Sequence, residues 1–325
     1  MLGGLEGYHH IVLAVSGGAD SLGMMVIVAD WARGLGATAP RFSVATVDHG
    51  LRPEAADEAA FVAGLAARFG MEHAVLRWNG DKPAAGLQEA ARNARYGLLK
   101  DHCDTVGAYG VMLAHHAEDQ AETVLMRLCA GSGLSGLAGM VPDTEGNGLR
   151  LWRPFLKLSG GRLRATAEAA SLTPIEDPSN RNSRFTRVRL RQAGAMLQAE
   201  GLDAKRLSKL ADRMGRADRA LDVMAGRADA TYRLPSETGA AWAPGLFDEP
   251  DECVVRVILR AIGEMAKPKV LELSSLEAVV EALSDARKSG QSLRRTVGGM
   301  IVSLNTNGVL AIRSEGPRGP ALHIG

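Results

Sequence analysis

Ile11-Val12-Leu13-Ala14-Val15 runs directly into Ser16-Gly17-Gly18-Ala19-Asp20-Ser21, and then into Leu22-Gly23-Met24-Met25-Val26-Ile27. Five apolar residues in succession read as a buried strand. Leu22, Met24, Met25, Ile27, Val28 and Trp31 mix helical spacings with enough apolar content for a buried helix. The six residues between are too small and too polar to continue the strand. A strand, a turn with two adjacent glycines and a helix make an anion site by geometry alone. Glycine lets backbone amides approach an oxyanion closely, and the helix N-terminus adds unused N–H groups and a partial positive charge. Two hydroxyls and a carboxylate around Gly17-Gly18 favour a nucleotide phosphate over an ordinary capped turn. No Gly-Lys-Ser or Gly-Lys-Thr occurs in the chain, so this is not a Walker-type loop. Asp20 would repel a polyphosphate unless a cation sat between them, which assigns it to Mg2+.

Downstream, short apolar runs at 42–47, 73–77 and 109–114 alternate with helical patterns at 53–69, 86–102 and 118–129. That alternation predicts a mostly parallel sheet covered on both faces, with ligands at the C-terminal ends of its strands. The second strand is followed by Asp48-His49-Gly50-Leu51-Arg52, which puts His49 at the sheet edge that carries the glycine turn. Arg92 and Arg95 share one helical face; on spacing alone they read as solvated. The fourth strand leads into His115-His116-Ala117-Glu118-Asp119-Gln120-Ala121-Glu122-Thr123. A helix starting there directs His115, Asp119 and Glu122 at one spot above the sheet. The pattern His-Glu-x-x-His is absent, so paired histidines need not signal a transition metal. Gly131-Ser132-Gly133-Leu134-Ser135-Gly136 matches G-x-G-x-x-G literally, but it follows a helix and lacks the ribose-binding acid downstream. It reads as a flexible loop near the site.

A chain of 325 residues suggests two domains at about 150 residues each. Cys103, Cys129 and Cys253 are far apart, which disfavours a disulfide framework, structural zinc or an iron–sulfur cluster and suits a reducing cytoplasm. Met1-Leu2-Gly3-Gly4-Leu5-Glu6 has neither a basic region nor a long apolar run, so no export signal is expected, and no apolar stretch is long enough to span a membrane. The net charge of +1 conceals a split: residues 181–227 carry 12 basic and 5 acidic side chains. Such a block is an electrostatic footprint for a polyanion. Glu176-Asp177-Pro178-Ser179-Asn180 reads as a turn, followed by Arg184, Arg187 and Arg191 on one face if helical. At 203–230 an apolar stripe of Leu207, Leu210, Met214, Ala217, Leu221 and Met224 predicts a long helix flanked by Arg206, Lys209, Arg213 and Arg216. The last third holds helical patterns at 252–264 and 272–285, then two β runs around Asn307-Gly308, a strong hairpin signal.

These motifs together resemble a known family. Ser16-Gly17-Gly18-Ala19-Asp20-Ser21 is similar to the pyrophosphate loop of the ATP pyrophosphatases, which split ATP into AMP and pyrophosphate to adenylate a carbonyl-type oxygen. The remaining matches resemble one branch, the tRNA(Ile)-lysidine synthetases. They are Val47-Asp48-His49-Gly50-Leu51-Arg52, Ala90-Ala91-Arg92 with Arg95-Tyr96, His115-His116 through Thr123, Gly131-Ser132-Gly133 with Gly136-Leu137, Arg153-Pro154-Phe155, and Glu176 to Asn180 with Arg187. Ala130 and Val188 depart from the family pattern, where a basic residue and an asparagine are common.

The resemblance implies an α/β fold: a parallel-sheet ATP-pyrophosphatase (adenine nucleotide alpha hydrolase-like) domain over 1–200, a helical linker over 201–232 and a small α+β tRNA-binding domain over 233–325. It implies ATP and Mg2+ as cofactors, with free L-lysine and a CAU-anticodon tRNA(Ile) as partners, and ligation of the lysine to C2 of the wobble cytidine. Carried onto this sequence, Ser16, Gly17, Gly18, Ala19 and Ser21 hold phosphates, Asp20 holds Mg2+ and His49 touches the nucleotide. His115 stabilises charge near the α-phosphate, Asp119 and Glu122 handle the lysine ammonium, and Arg187 faces the lysine carboxylate or the activated base. A tRNA thiolase built on the same loop is the nearest rival, and the scattered cysteines disfavour it. An amidotransferase-type synthetase would need an ammonia-producing domain that is not evident. A nucleotide-sensing RNA binder without catalysis is disfavoured by Asp20, His115 and Asp119 all being in place.

Overall fold

A computed structural model describes residues 2–51, 53–83, 85–175, 186–265 and 272–315, with 186–188 described as backbone only. The chain forms two compact units: Met1–Ala130 with Ala138–Ala211, and Gly131–Leu137 with Asp212–Gly325.

The first unit is built on a six-stranded sheet in the order β3-β2-β1-β4-β6-β5. Its strands are β1 His10–Ala14, β2 Arg41–Asp48, β3 Glu72–Arg77, β4 Val111–Met112, β5 Asp143–Gly146 and β6 Leu149–Trp152. All neighbours run parallel except β5 and β6. Ile11, Val12 and Leu13 have no exposure, because helices cover both faces. Alternation along β1 divides the core: Ile11 and Leu13 pack with Met24, Met25 and Phe155, whereas Val12 and Ala14 pack with Leu99, Val111 and Leu113.

The helices of this unit are α1 Ala19–Leu35, α2 Ala55–Arg68, α3 Leu87–Val106, α4 Ala117–Cys129, α6 Gly160–Ala169, α7 Thr186–Gln192 and α8 Gly194–Ala199. The short α5 Leu134–Leu137 precedes α6 in the chain and belongs to the second unit. Three predicted strands and three predicted helices therefore lie close to where the apolar pattern puts them. The fourth strand is shorter than its apolar run, because the chain leaves the ladder after Leu113 donates to the Trp152 carbonyl at 2.8 Å. The β5–β6 hairpin was not anticipated. Its turn is Asn147-Gly148, with φ of 53° and 70°, the left-handed pair that Asn-Gly favours.

The long helix α9, Ala204–Tyr232, passes from the first unit into the second. Its predicted apolar stripe needs correction. Leu207 and Ala211 are buried near one end, against Ala121, Val124 and Leu125, and Ala225 and Ala228 near the other, whereas Met224 is 43% exposed.

The second unit packs α10 Asp251–Met265 and α11 Leu273–Lys288 on an antiparallel sheet ordered β7-β8-β11-β10-β9. These strands are β7 Arg233–Leu234, β8 Ala240–Trp242, β9 Leu293–Val297, β10 Met300–Leu304 and β11 Leu310–Ser314. Trp242, Leu246, Ile258, Leu276 and Leu310 are fully buried among them. The tight two-residue turn lies at Gly298-Gly299, between β9 and β10. Asn307-Gly308 lies, as its signal predicts, in the loop of the antiparallel β10–β11 hairpin, where Gly308 donates to the Asn305 carbonyl. The Gly131–Leu137 segment is held in this unit rather than forming a flexible loop. It includes the turn of helix α5, and Ser135 Oγ donates to Asp218 Oδ1 at 2.5 Å.

No helix among the described residues is long and apolar enough to cross a membrane. A small cavity of about 50 Å3 lies under α3, lined by His10, Ser43, Glu72, His73 and His102. His10 Nε2 pairs with Ser43 Oγ at 2.9 Å, and His73 Nε2 with Thr46 Oγ1 at 2.9 Å. Burial holds His10, His73 and His102 below the ordinary histidine value; Arg41 and His9 add to this at His10, while the Val106 carbonyl and Glu72 oppose it.

A Cβ on Gly23 would lie 2.2 Å from the Leu163 carbonyl oxygen, so Gly23→Ala should force α1 from α6 and cost about 3 kcal/mol in urea unfolding. The buried histidines are neutral in the fold, so their stabilising share is complete above pH 6.5 and lost as pH falls below it. Because His116, with its raised pKa, gains stability as pH falls to 6.5, the lowered histidines show best by difference: between pH 7.5 and about 5.5 the unfolding midpoint of His10→Gln should fall less, or rise more, than that of the parent.

Candidate active site

The glycine turn leaves the C-terminal end of β1 and is stapled by its own serines. Ser21 Oγ accepts from the Ser16 amide at 3.2 Å and donates to the Gly18 carbonyl at 2.9 Å. Gly17 has φ +85°, a conformation that residues with a side chain rarely adopt, so the backbone there demands glycine. Leu22 is the first residue whose amide bonds back into the turn, to the Gly18 carbonyl at 3.0 Å. The first-turn amides before it have no use within the helix. The loop is thus shaped in advance for an anion.

Asp20, in the first turn of α1, reaches toward the start of α4. His116 is the N-cap of α4, and its Nε2 lies 3.4 Å from Asp20 Oδ2 and 3.4 Å from Asp119 Oδ2. Its Nδ1 lies 2.8 Å from Glu118 Oε2. Burial opposes a charge on this ring, but Asp20, Asp119 and Glu118 outweigh it and raise the pKa to about 9. An imidazolium therefore holds the acids together at neutral pH. The Asp119 carboxylate also accepts from the His116 amide at 3.1 Å, and the Gly160 amide donates to Glu118 at 2.9 Å.

The placement of His115 differs from the helical face expected of it. His115 lies before α4 begins, so it does not stack with Asp119 on a helical face. His116 is the histidine that joins the loop to the acids. The sequence signal was present as His116-x-x-Asp119, which has the spacing of a capping box. Glu122 faces the same helix side as Asp119 and is gripped by Arg191, with Nη2 at 2.7 Å and Nε at 2.8 Å from Oε1. Arg187 lies one turn earlier on α7, but its side chain falls outside the described residues. So do Arg52, Arg184 and Glu176 to Asn180.

On the other side of β1, His49 follows β2, half-buried, with its ring edge-on to Trp78 at 6.1 Å. Burial and then Arg95 hold its pKa down, and its buried Nδ1 has no partner among the described residues. The arginines of α3 are not simply solvated. Arg95, Arg127 and Arg153 are all held below the ordinary arginine value, by burial first and also by the charge of Arg92. Arg92 stacks over Tyr96 at 5.1 Å, and Arg153 donates to the Val141 carbonyl at 3.0 Å and to Thr144 at 2.9 Å. Arg92 itself is exposed, Arg95 and Arg127 are half-buried and Arg153 is buried, so like charges gather here on a partly exposed surface that suits an anionic ligand.

Residues 4–196 match the family model described as the PP-loop domain. The tRNA(Ile)-lysidine synthase of Rhodopseudomonas palustris is 44% identical over 318 residues, covering 95% of this chain and 92% of that protein. The tRNA(Ile)-lysidine synthase of Methylobacterium nodulans is 47% identical over 319 residues, covering 95% and 91%. Among solved structures, the U34-tRNA thiolase NcsA from Methanococcus maripaludis with its [4Fe-4S] cluster has a TM-score of 0.55 at 16% identity, covering 64% of this chain and 72% of that one, and so shares the fold. Fold, loop and family match define an ATP-using PP-loop protein. Within that class the chain belongs to the tRNA(Ile)-lysidine synthase family.

A Cβ on Gly160 would come within 2.9 Å of His116 Nε2. Gly160→Ala should therefore push the ring off Asp20 and Asp119 and slow ATP turnover about tenfold or more, with circular dichroism unchanged.

Proposed function

We propose that the chain ligates lysine to C2 of the wobble cytidine of tRNA(Ile), making lysidine at the expense of ATP. Cytosine O2 attacks the α-phosphorus and pyrophosphate leaves. The lysine ε-amine then attacks C2, AMP departs with the O2 atom, and the amine gives up its extra protons. The observation that carries this reading is the preformed Gly17-Gly18 turn with Asp20 tied across to His116 and Asp119.

Ser16, Gly17, Gly18, Ala19 and Ser21 hold the phosphates of ATP. His49 contacts the nucleoside, since β2 flanks the loop on the side away from α4. Asp20, on the loop side of His116, would hold Mg2+ together with phosphate oxygens and water, a donor set that suits the ion. Among the described residues no cluster of three His, Cys, Asp or Glu could hold a metal without substrate. Bound there, the ion would neutralise charge on the polyphosphate.

His115 stabilises charge near the α-phosphate, joined by the His116 imidazolium and the Arg92 cluster. With a pKa near 10.4, only about one lysine side chain in a few thousand is neutral at pH 7. Asp119 removes the ammonium proton, Glu122 gives it a fixed countercharge and Arg187 faces the lysine carboxylate or the activated base. The basic block at 181–227 and the C-terminal domain grip the tRNA, whose loop base must be splayed out for reaction. The cytoplasm is the expected compartment.

The test measures ATP–pyrophosphate exchange and AMP release with tRNA(Ile), with and without lysine. Exchange should require tRNA alone and AMP release should require lysine as well. Asp20→Ala and Asp119→Ala should each lower exchange by about two orders of magnitude. Unchanged rates in both variants would remove these assignments. AMP release that needs a sulfur donor instead of lysine would favour the thiolase reading, and absence of turnover a non-catalytic binder.

A further inference from the structure

Helix α9 sorts its charges by face. At 100° per residue, Lys205, Lys209, Arg213, Arg216, Arg219 and Arg227 fall within an arc of about 120°. The buried Leu207, Ala211, Ala225 and Ala228 lie on the opposite side. All six cations are exposed, and none makes an ion pair among the described residues.

Most acids of the same helix are turned elsewhere. Asp218 and Asp222 hold the buried Arg256 at 2.7 Å and 2.6 Å. Asp229 pairs with Arg233 and accepts from Trp242 Nε1 at 2.7 Å. Only Asp212 lies inside the basic arc. Folding thus uses up the helix's negative charge internally and leaves a row of positive charge about 33 Å long. Like charges three and four residues apart repel, so this face is better stabilised with anions against it than with water.

We propose that this face of α9 docks the phosphate backbone of double-helical RNA. The row is narrow and linear, as a line of phosphates along a groove is. Four of the six cations are arginines, whose planar forks match phosphate oxygens. Val223 is the only large apolar residue in the arc, too little for insertion into a lipid surface. The inference rests on the reading of tRNA as substrate and deepens it: backbone contacts carry no sequence information, so α9 binds any tRNA equally and selection of tRNA(Ile) is made elsewhere.

The experiment uses the full chain carrying Arg213→Gln, Arg216→Gln, Arg219→Gln and Arg227→Gln together. Binding of tRNA(Ile) and of an unrelated tRNA is measured against salt concentration. Each lost phosphate contact removes about 0.7–0.9 from the slope, so the slope should become shallower by about 3. Affinity at low salt should fall at least about 30-fold for both RNAs alike. An unchanged slope, a loss confined to tRNA(Ile), or a loss of binding to phosphatidylserine vesicles with RNA affinity intact would each overturn the proposal. Should the quadruple variant fail to fold by circular dichroism, Arg216→Gln with Arg227→Gln decides, with about half the change in slope expected. If the parent protein shows no exchange, the proposed reaction fails, while the slope still decides the docking surface.

Discussion

The first unit depends at its centre on one buried cation between carboxylates. His116 is 10% exposed in its side chain and is met by Asp20 from α1 and by Asp119 and Glu118 from α4. Without the imidazolium the Asp20 and Asp119 carboxylates would repel one another beside a loop built for more negative charge. With it, the N-terminus of α4 is fixed relative to the glycine turn before any nucleotide arrives. Gly160 is the condition for that arrangement, because a side chain there would occupy the space of the ring.

Around this point the protein distributes charge by role. Acids gather on the α4 side of the loop, where Asp20, Glu118 and Asp119 surround His116 and Glu122 meets Arg191. Cations gather around α3, where burial and the charge of Arg92 hold Arg95, Arg127 and Arg153 below the ordinary arginine value. The parallel sheet makes this division possible, since β2 and β4 flank β1 and deliver His49 and the α4 acids to opposite sides of one loop. The second unit handles charge in the reverse way, burying Arg256 against three carboxylates and leaving arginines of α9 outside.

Much of the fold was legible because apolar period and element length agree in the first unit. Five apolar residues before two glycines could only be a central strand entering a tight turn, and β1 is buried throughout. Asn147-Gly148 carried the same hairpin signal as Asn307-Gly308 and went unread, because the flanking Asp143–Gly146 has no apolar alternation to mark a strand. The stripe on α9 was misjudged at Met224 because a helix shared between two units buries a different set of residues in each.

The sequence by itself determined the phosphate loop, the parallel sheet and the family, since each rests on local residue types at fixed spacing. Only the tertiary structure decided which histidine joins Asp20, that Arg191 grips Glu122, and that Arg153 is buried beside the α3 arginines. Those outcomes depend on residues dozens of positions apart converging at one end of a sheet. A one-residue shift between His115 and His116 reverses which ring meets the acids, and only the start of α4 fixes that shift.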